Sequence, residues 1–205
     1  MLTLPPRADL GRRLIQLLPG LGSCGVGLAL MVLADLGLGP WEAFHQGLSG
    51  RIGVPIGTTG ILVGFAVLIG WVPLRQRPGL GTLCNVVLIG LVIDAVLAVA
   101  PQPANLVARS ACLGAGIVLV GLGSGLYIGA GLGPGPRDGL MTGMAARGHS
   151  LRFVRTLIEL SALAAGWALG GSVGVGTLAF ALCIGPLVQA FLGRLTLPVL
   201  TAPAE

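Results

Sequence analysis

"GLGPGPRDGLMTG" occupies residues 131 to 143, and "GLGPWEAFHQG" has already occupied residues 37 to 47. In each phrase glycines and a proline precede an acidic residue, Glu42 in the first and Asp138 in the second, at an offset of 96. Proline in the first turn of a helix costs no hydrogen bond, because that N–H has no intrahelical acceptor, and glycine lets the chain turn sharply just before it. Each phrase therefore reads as a break followed by a short helix, over about 40–50 and about 136–147.

The setting of these breaks is apolar. Of 205 residues, 54% are hydrophobic and 9% charged, with a mean hydropathy of +0.95, against about a quarter charged in ordinary soluble domains. A water-facing surface cannot be built from that inventory. Apolar runs suggest six membrane spans at about 14–36, 56–73, 79–100, 109–130, 150–169 and 174–193, each near the roughly 20 residues that cross a bilayer. A β-barrel needs alternating apolar and polar residues, whereas "VVLIGLVIDAVLAVA" (86–100) is apolar all round, so the fold class is an all-α polytopic membrane protein.

Laying one half on the other extends the repeat. Gly25 and Gly27 fall on Gly121 and Gly123, Pro40 on Pro136, Gly47 on Gly143, Arg51 on Arg147, and Gly70-Trp71 on Gly166-Trp167. After a one-residue gap "GLGTL" (79–83) meets "GVGTL" (174–178). The expectation is one membrane domain over residues 1–205, with repeat 1 at about 14–100, a linker at about 101–108 and repeat 2 at about 109–194. Three spans per half, an odd number, invert the second half relative to the first. With the N-terminus inside, ten arginines fall on the cytoplasmic side and two, Arg51 and Arg109, outside, a positive-inside pattern that puts both termini in the cytoplasm.

That placement also accounts for the net charge of +5. Every basic residue is an arginine and most flank apolar runs, so nucleic acid is not an expected partner. Arg7, Arg12 and Arg13 before an apolar run imitate a signal peptide, and "LGSC" (21–24) a lipoprotein box; the repeat, which pairs this run with a later span, argues against cleavage. Cys24, Cys84, Cys112 and Cys183 lie singly in apolar runs without CxxC spacing and read as small core residues. His45 and His149 fit no metal spacing, and no nucleophile motif or cofactor signature is present, so neither an enzyme nor a cofactor is expected.

The candidate pathway residues are Glu42, Arg137, Asp138, Arg155, Glu159 and Asp94. Glu42 and Asp138 either cap their own short helices or contact a solute or ion. Arg155 and Glu159, four apart, share a helix face, and Glu159 falls near the middle of a span, where a lone charge against lipid is costly. They form either a structural ion pair or a proton- or substrate-binding site. Asp94 is either a pathway acid or a group solvated near the outer interface, while Asp35 reads as interfacial. The glycines Gly121, Gly125 and Gly129, Gly60 and Gly64, and Gly166 and Gly170 recur every four residues and read as helix-packing positions, within the chain or between subunits. Thr82 and Thr177 of the two GxGTL motifs are expected to donate to backbone carbonyls.

At "GLGPWEAF", "PGLGTLCNVVLIGLVID", "GLGPGPRDGLMTG", "VRTLIEL" and "VGVGTLAFALCIGP" the sequence resembles the YczE-type bacterial integral membrane proteins, relatives of the broader YitT group, over about residues 20–193. The resemblance implies a multispanning bacterial inner-membrane protein and carries no catalytic residues; Glu42 stands where the family is associated with aspartate. The functional expectation is a small-solute permease with two inverted repeats rocking about a central site. Arg137, Arg147, Arg152 and Arg155 point to an anionic solute or a lipid headgroup, although positive-inside bias accounts for most of them. The alternative is a non-transporting membrane subunit that binds lipid or a protein partner, as a homo-oligomer or in a larger complex.

Overall fold

A computed structural model describes residues 7–197; residues 1–6 and 198–205, and with them the two termini assigned above to the cytoplasm, lie outside the described residues. Eight helices and no strand make up the described chain: α1 (Arg7–Ala34), α2 (Pro40–Ile52), α3 (Ile56–Leu74), α4 (Leu80–Val99), α5 (Leu106–Gly129), α6 (Pro136–Ala145), α7 (Leu151–Ala168) and α8 (Val175–Leu195). Five of them, α1, α3, α4, α5 and α8, are long and apolar enough to cross a membrane. The remaining expected span, α7, carries Arg152, Arg155 and Glu159 within 18 residues, and that charge sets it apart from the other five.

The centre is the crossing of α1 and α5. A Cβ on Gly27 or Gly116 would press on the other's carbonyl oxygen, at 2.7 and 2.6 Å, and Gly20 and Gly123 are in the same relation. Small residues let the two backbones touch, which is how helices associate in a solvent as apolar as their own side chains. Ser23 Oγ donates to Leu119 O at 2.9 Å across the same seam. Arg13, buried and paired with Asp9, donates from Nη1 to Ala130 O at 2.8 Å; Arg109 donates from Nε to Ala34 O at 2.6 Å. Each arginine thus satisfies a carbonyl at the C-terminal end of the opposite helix, where four carbonyls lack intrahelical partners. α1 begins well before residue 14 for this reason: Asp9 neutralises Arg13 within the helix, so charge does not end it.

The two breaks have the same backbone form. Asp35 and Gly131 have φ of 49° and 65°, and Gly37 and Gly133 have φ of 111° and 124°, the last two in a region that only glycine adopts without strain. Each break is closed by the start of a span from the other half. Gly176 N–H donates to Leu36 O at 2.7 Å, and Gly81 N–H to Leu132 O at 2.8 Å, so N–H groups that a helix start leaves free meet carbonyls that a helix end leaves free. A Cβ on Gly37 would strike Gly174 N and one on Gly133 would strike Thr82 Oγ1. The recurrence of GLGP and GxGTL is therefore one contact made twice.

The packing glycines sort by neighbour. Gly121, Gly125 and Gly129 of α5 face Leu187, Phe191 and Leu195 at the α8 side; Gly64 faces Val86 of α4, Gly60 faces the His45 ring of α2, and Gly166 of α7 lies on the backbone of Ala43 and Phe44. Gly170 departs from the expectation. It lies beyond the end of α7 with φ 98° and nothing within 4 Å of a Cβ, so it reverses the chain and packs no helix.

Candidate functional site

Both short helices start from an extended glycine, Gly39 and Gly135, followed by proline. With no side chain at the N-cap, the first-turn acids are the nearest polar groups, and neither stays local. Glu42, with its side chain 5% exposed, accepts from Arg137 Nη2 at 2.8 Å, joining α2 to α6. The Arg137 guanidinium also lies over the Trp41 ring, 5.0 Å from its centre, within the reach of a cation–π contact. Asp138 is exposed and accepts from Tyr127 OH of α5 at 3.3 Å. α6 is fixed beneath this cluster by Trp71, fully buried, whose Nε1–H donates to Pro136 O at 2.9 Å.

These groups line a cavity of about 630 Å³ bounded by α1, α2, α3, α4, α5, α6, α7 and α8, a volume suited to a small organic molecule. Its charged lining is Glu42, Arg137, Asp138, Arg155 and Glu159, and its apolar wall includes Val63, Ile89, Ile93, Phe180 and Ile184. Arg155 and Glu159 form the expected pair, Nε to Oε1 at 3.0 Å, both lining the cavity, Arg155 exposed and Glu159 partly exposed rather than sealed in protein. His45 is 7% exposed and borders the same space, and its Nε2, like Trp41 Nε1, has no hydrogen-bond partner. Among the described residues no three His, Cys, Asp or Glu side chains gather as a metal site.

Asp94 is elsewhere. It accepts from Gly57 N–H at 2.6 Å and from Thr58 N–H and Oγ1 at 2.7 Å each, capping α3 from the neighbouring α4, a charge placed where a helix N-terminus favours it. Asp35 pairs with Arg109 at 3.0 Å and is exposed. Thr82 Oγ1 donates to Pro134 O at 2.7 Å and accepts from Gly79 N–H at 3.1 Å, whereas Thr177 Oγ1 accepts from Gly174 N–H at 3.2 Å. Of the four arginines that suggested an anion, Arg137 and Arg155 are paired and Arg147 donates from Nη2 to Pro73 O. Tyr127, Trp41 and His45 enter the site without any spacing signal in the sequence.

The cavity wall is uneven. α3 packs along α4, with Gly57 and Gly90 so close that a Cβ on either would collide with the other's carbonyl oxygen. α7 and α8, which correspond to them in the second half, have no comparable packing. Phe153 stands at the position of Gly57, and Gly185, matching Gly90, has nothing within 4 Å of a Cβ.

Five helices long and apolar enough to cross a membrane, two of them, α1 and α5, crossing backbone to backbone at glycine, define a multi-pass α-helical membrane protein. The chain belongs to the family described as "Family of unknown function (DUF6198)", whose model matches residues 11–193. It is 42% identical over 177 residues to an "Uncharacterized protein" of Haemophilus influenzae, covering 86% of this chain and 81% of that one. It is 38% identical over 157 residues to the "Uncharacterized membrane protein YczE" of Bacillus subtilis, covering 75% and 73%, in keeping with the motif resemblance. A further Bacillus subtilis relative, "Uncharacterized protein YyaS", is 31% identical over 170 residues, covering 80% and 83%. No solved structure matches the chain.

Proposed function

We propose that the chain is a small-solute permease of the bacterial inner membrane, with six spans arranged as two inverted three-helix repeats, both termini cytoplasmic, and alternating access between the repeats. The observation that carries the reading is the cavity of about 630 Å³ at the starts of both broken-element helices, holding five charged side chains in a chain with 9% charged residues. Charge inside a membrane domain is retained where it faces partners, water or cargo, and discontinuous helices meeting at the centre are a recurring transporter site.

The inverted arrangement is supported by contacts that come in exchanged pairs: Gly20 with Gly123 and Gly116 with Gly27, Arg13 with Ala130 and Arg109 with Ala34, Gly81 with Leu132 and Gly176 with Leu36. At offsets of 96 or 95 each contact maps onto its partner with the halves swapped, as a two-fold axis in the membrane plane requires. In this reading the close α3–α4 seam is a shut gate and the separated α7–α8 pair an open one; transport exchanges the two. Purified protein in liposomes, supplied with labelled amines, amino acids and organic anions, tests it. Saturable flux lost in Arg137→Gln supports the reading. Absence of flux for every class, together with a membrane protein that co-purifies stoichiometrically, overturns it in favour of a non-transporting subunit.

A further inference from the structure

The charged groups around the cavity do not balance. Glu42 is taken by Arg137 and Glu159 by Arg155, while among the described residues Asp138 has only the Tyr127 hydroxyl. The cause lies in the repeat: the residue before the acid is Arg137 in one half and Trp41 in the other. When the two helix starts face each other, Glu42 meets a guanidinium and Asp138 meets no cation. The His45 imidazole does not supply the missing charge. Its Nε2 is buried without a partner, and protonation would place a second N–H donor there with nothing to accept it. The chamber therefore keeps one carboxylate without a cation partner among the described residues, exposed and beside apolar walls.

We propose that the cavity binds an organic monocation, a primary or secondary amine whose ammonium group pairs with Asp138 while its apolar body lies against Phe180, Ile89 and Ile184. The ammonium hydrogens are donors for the carboxylate, which the Tyr127 hydroxyl holds at 3.3 Å. An anion would meet two guanidiniums already engaged and a free carboxylate. The proposal rests on the permease reading and deepens it by naming the class of solute.

The test uses the full chain in lipid nanodiscs, titrated by calorimetry with phenethylamine and, separately, with phenylacetate. Phenethylamine is expected to bind saturably and phenylacetate not. Asp138→Asn weakens amine binding by about 10- to 100-fold, the ratio that a charge-assisted hydrogen bond is worth, and Asp138→Glu retains most of it. Because Asp138→Glu keeps the charge and Tyr127→Phe removes one neutral hydrogen bond, these variants separate loss of the ligand contact from loss of the fold. Binding of phenylacetate in preference to the amine, no amine binding, or equal affinity in well-folded Asp138→Asn each overturns the proposal. Flux is read separately in liposomes. Amine binding without flux keeps the site and overturns the permease; flux of an anion with no amine binding keeps the permease and overturns the site.

Discussion

Arg137 stands 2.8 Å from the Glu42 carboxylate and 5.0 Å from the centre of the Trp41 ring, so two residues of one short helix close on a single residue of the other. Because Glu42 is 5% exposed and Arg137 34%, the pair is only partly desolvated, and its coupling lies below that of a fully buried pair. Glu42→Gln and Arg137→Gln should each lower stability by about 1–3 kcal/mol, and the double variant should lose less than the sum. A thermal-unfolding cycle in detergent measures the coupling; strict additivity would mean that the pair holds nothing together.

The two GxGTL threonines should differ in cost. Thr82→Val removes the donor to Pro134 O as well as the acceptor for Gly79 N–H, two hydrogen bonds each worth about 0.5–1.5 kcal/mol. Thr177→Val removes an acceptor alone and should cost less. Parallel melts of the two variants check the order.

The ends of α3 and α6 lie together, since Arg147 donates to Pro73 O and a Cβ on Gly143 would approach Gln76 and Leu74. In a cysteine-free background, Gln76→Cys and His149→Cys should react with an impermeant maleimide from the same side of the membrane. Gly50→Cys and Gln102→Cys should react from the other. Any exchange between the two groups contradicts the inverted topology.

Gly185→Cys and Val86→Cys probe the two seams. With α3 and α4 in contact, Val86 of α4 buried against Gly64 of α3, and α7 and α8 apart, a small membrane-permeant maleimide should label position 185 faster by more than about tenfold, because position 86 becomes reachable only when the α3–α4 packing opens. Equal rates would remove the distinction between an open and a shut side.

Much of this was readable from the chain. Hydropathy and the Pro40 and Pro136 breaks place the eight helices, because burial in lipid demands long apolar runs and proline marks a helix start. The Arg155–Glu159 pair was readable because four residues span one helical turn. The Glu42–Arg137 pair was not, since 95 residues separate its members and spacing reports only local neighbours. The repeat offers a route to it: aligning Trp41-Glu42 with Arg137-Asp138 and facing the two copies brings acid to base. Asp94 shows the opposite limit. As an acid in an apolar run it resembles a pathway residue, and only the approach of α3, permitted by Gly57 and Gly90, reveals it as a cap.

The closure of each break by the other half bears on how the chain is made. While a ribosome is still translating residues 37 and beyond, the Leu36 carbonyl waits for Gly176, about 140 residues later, so the first half is made before the partner that closes its break exists. A gene cut within "PQPAN" (101–105) should accordingly yield two fragments that are degraded singly and rescued by co-expression. Survival of the first fragment alone would show that the interlock is not required during biogenesis.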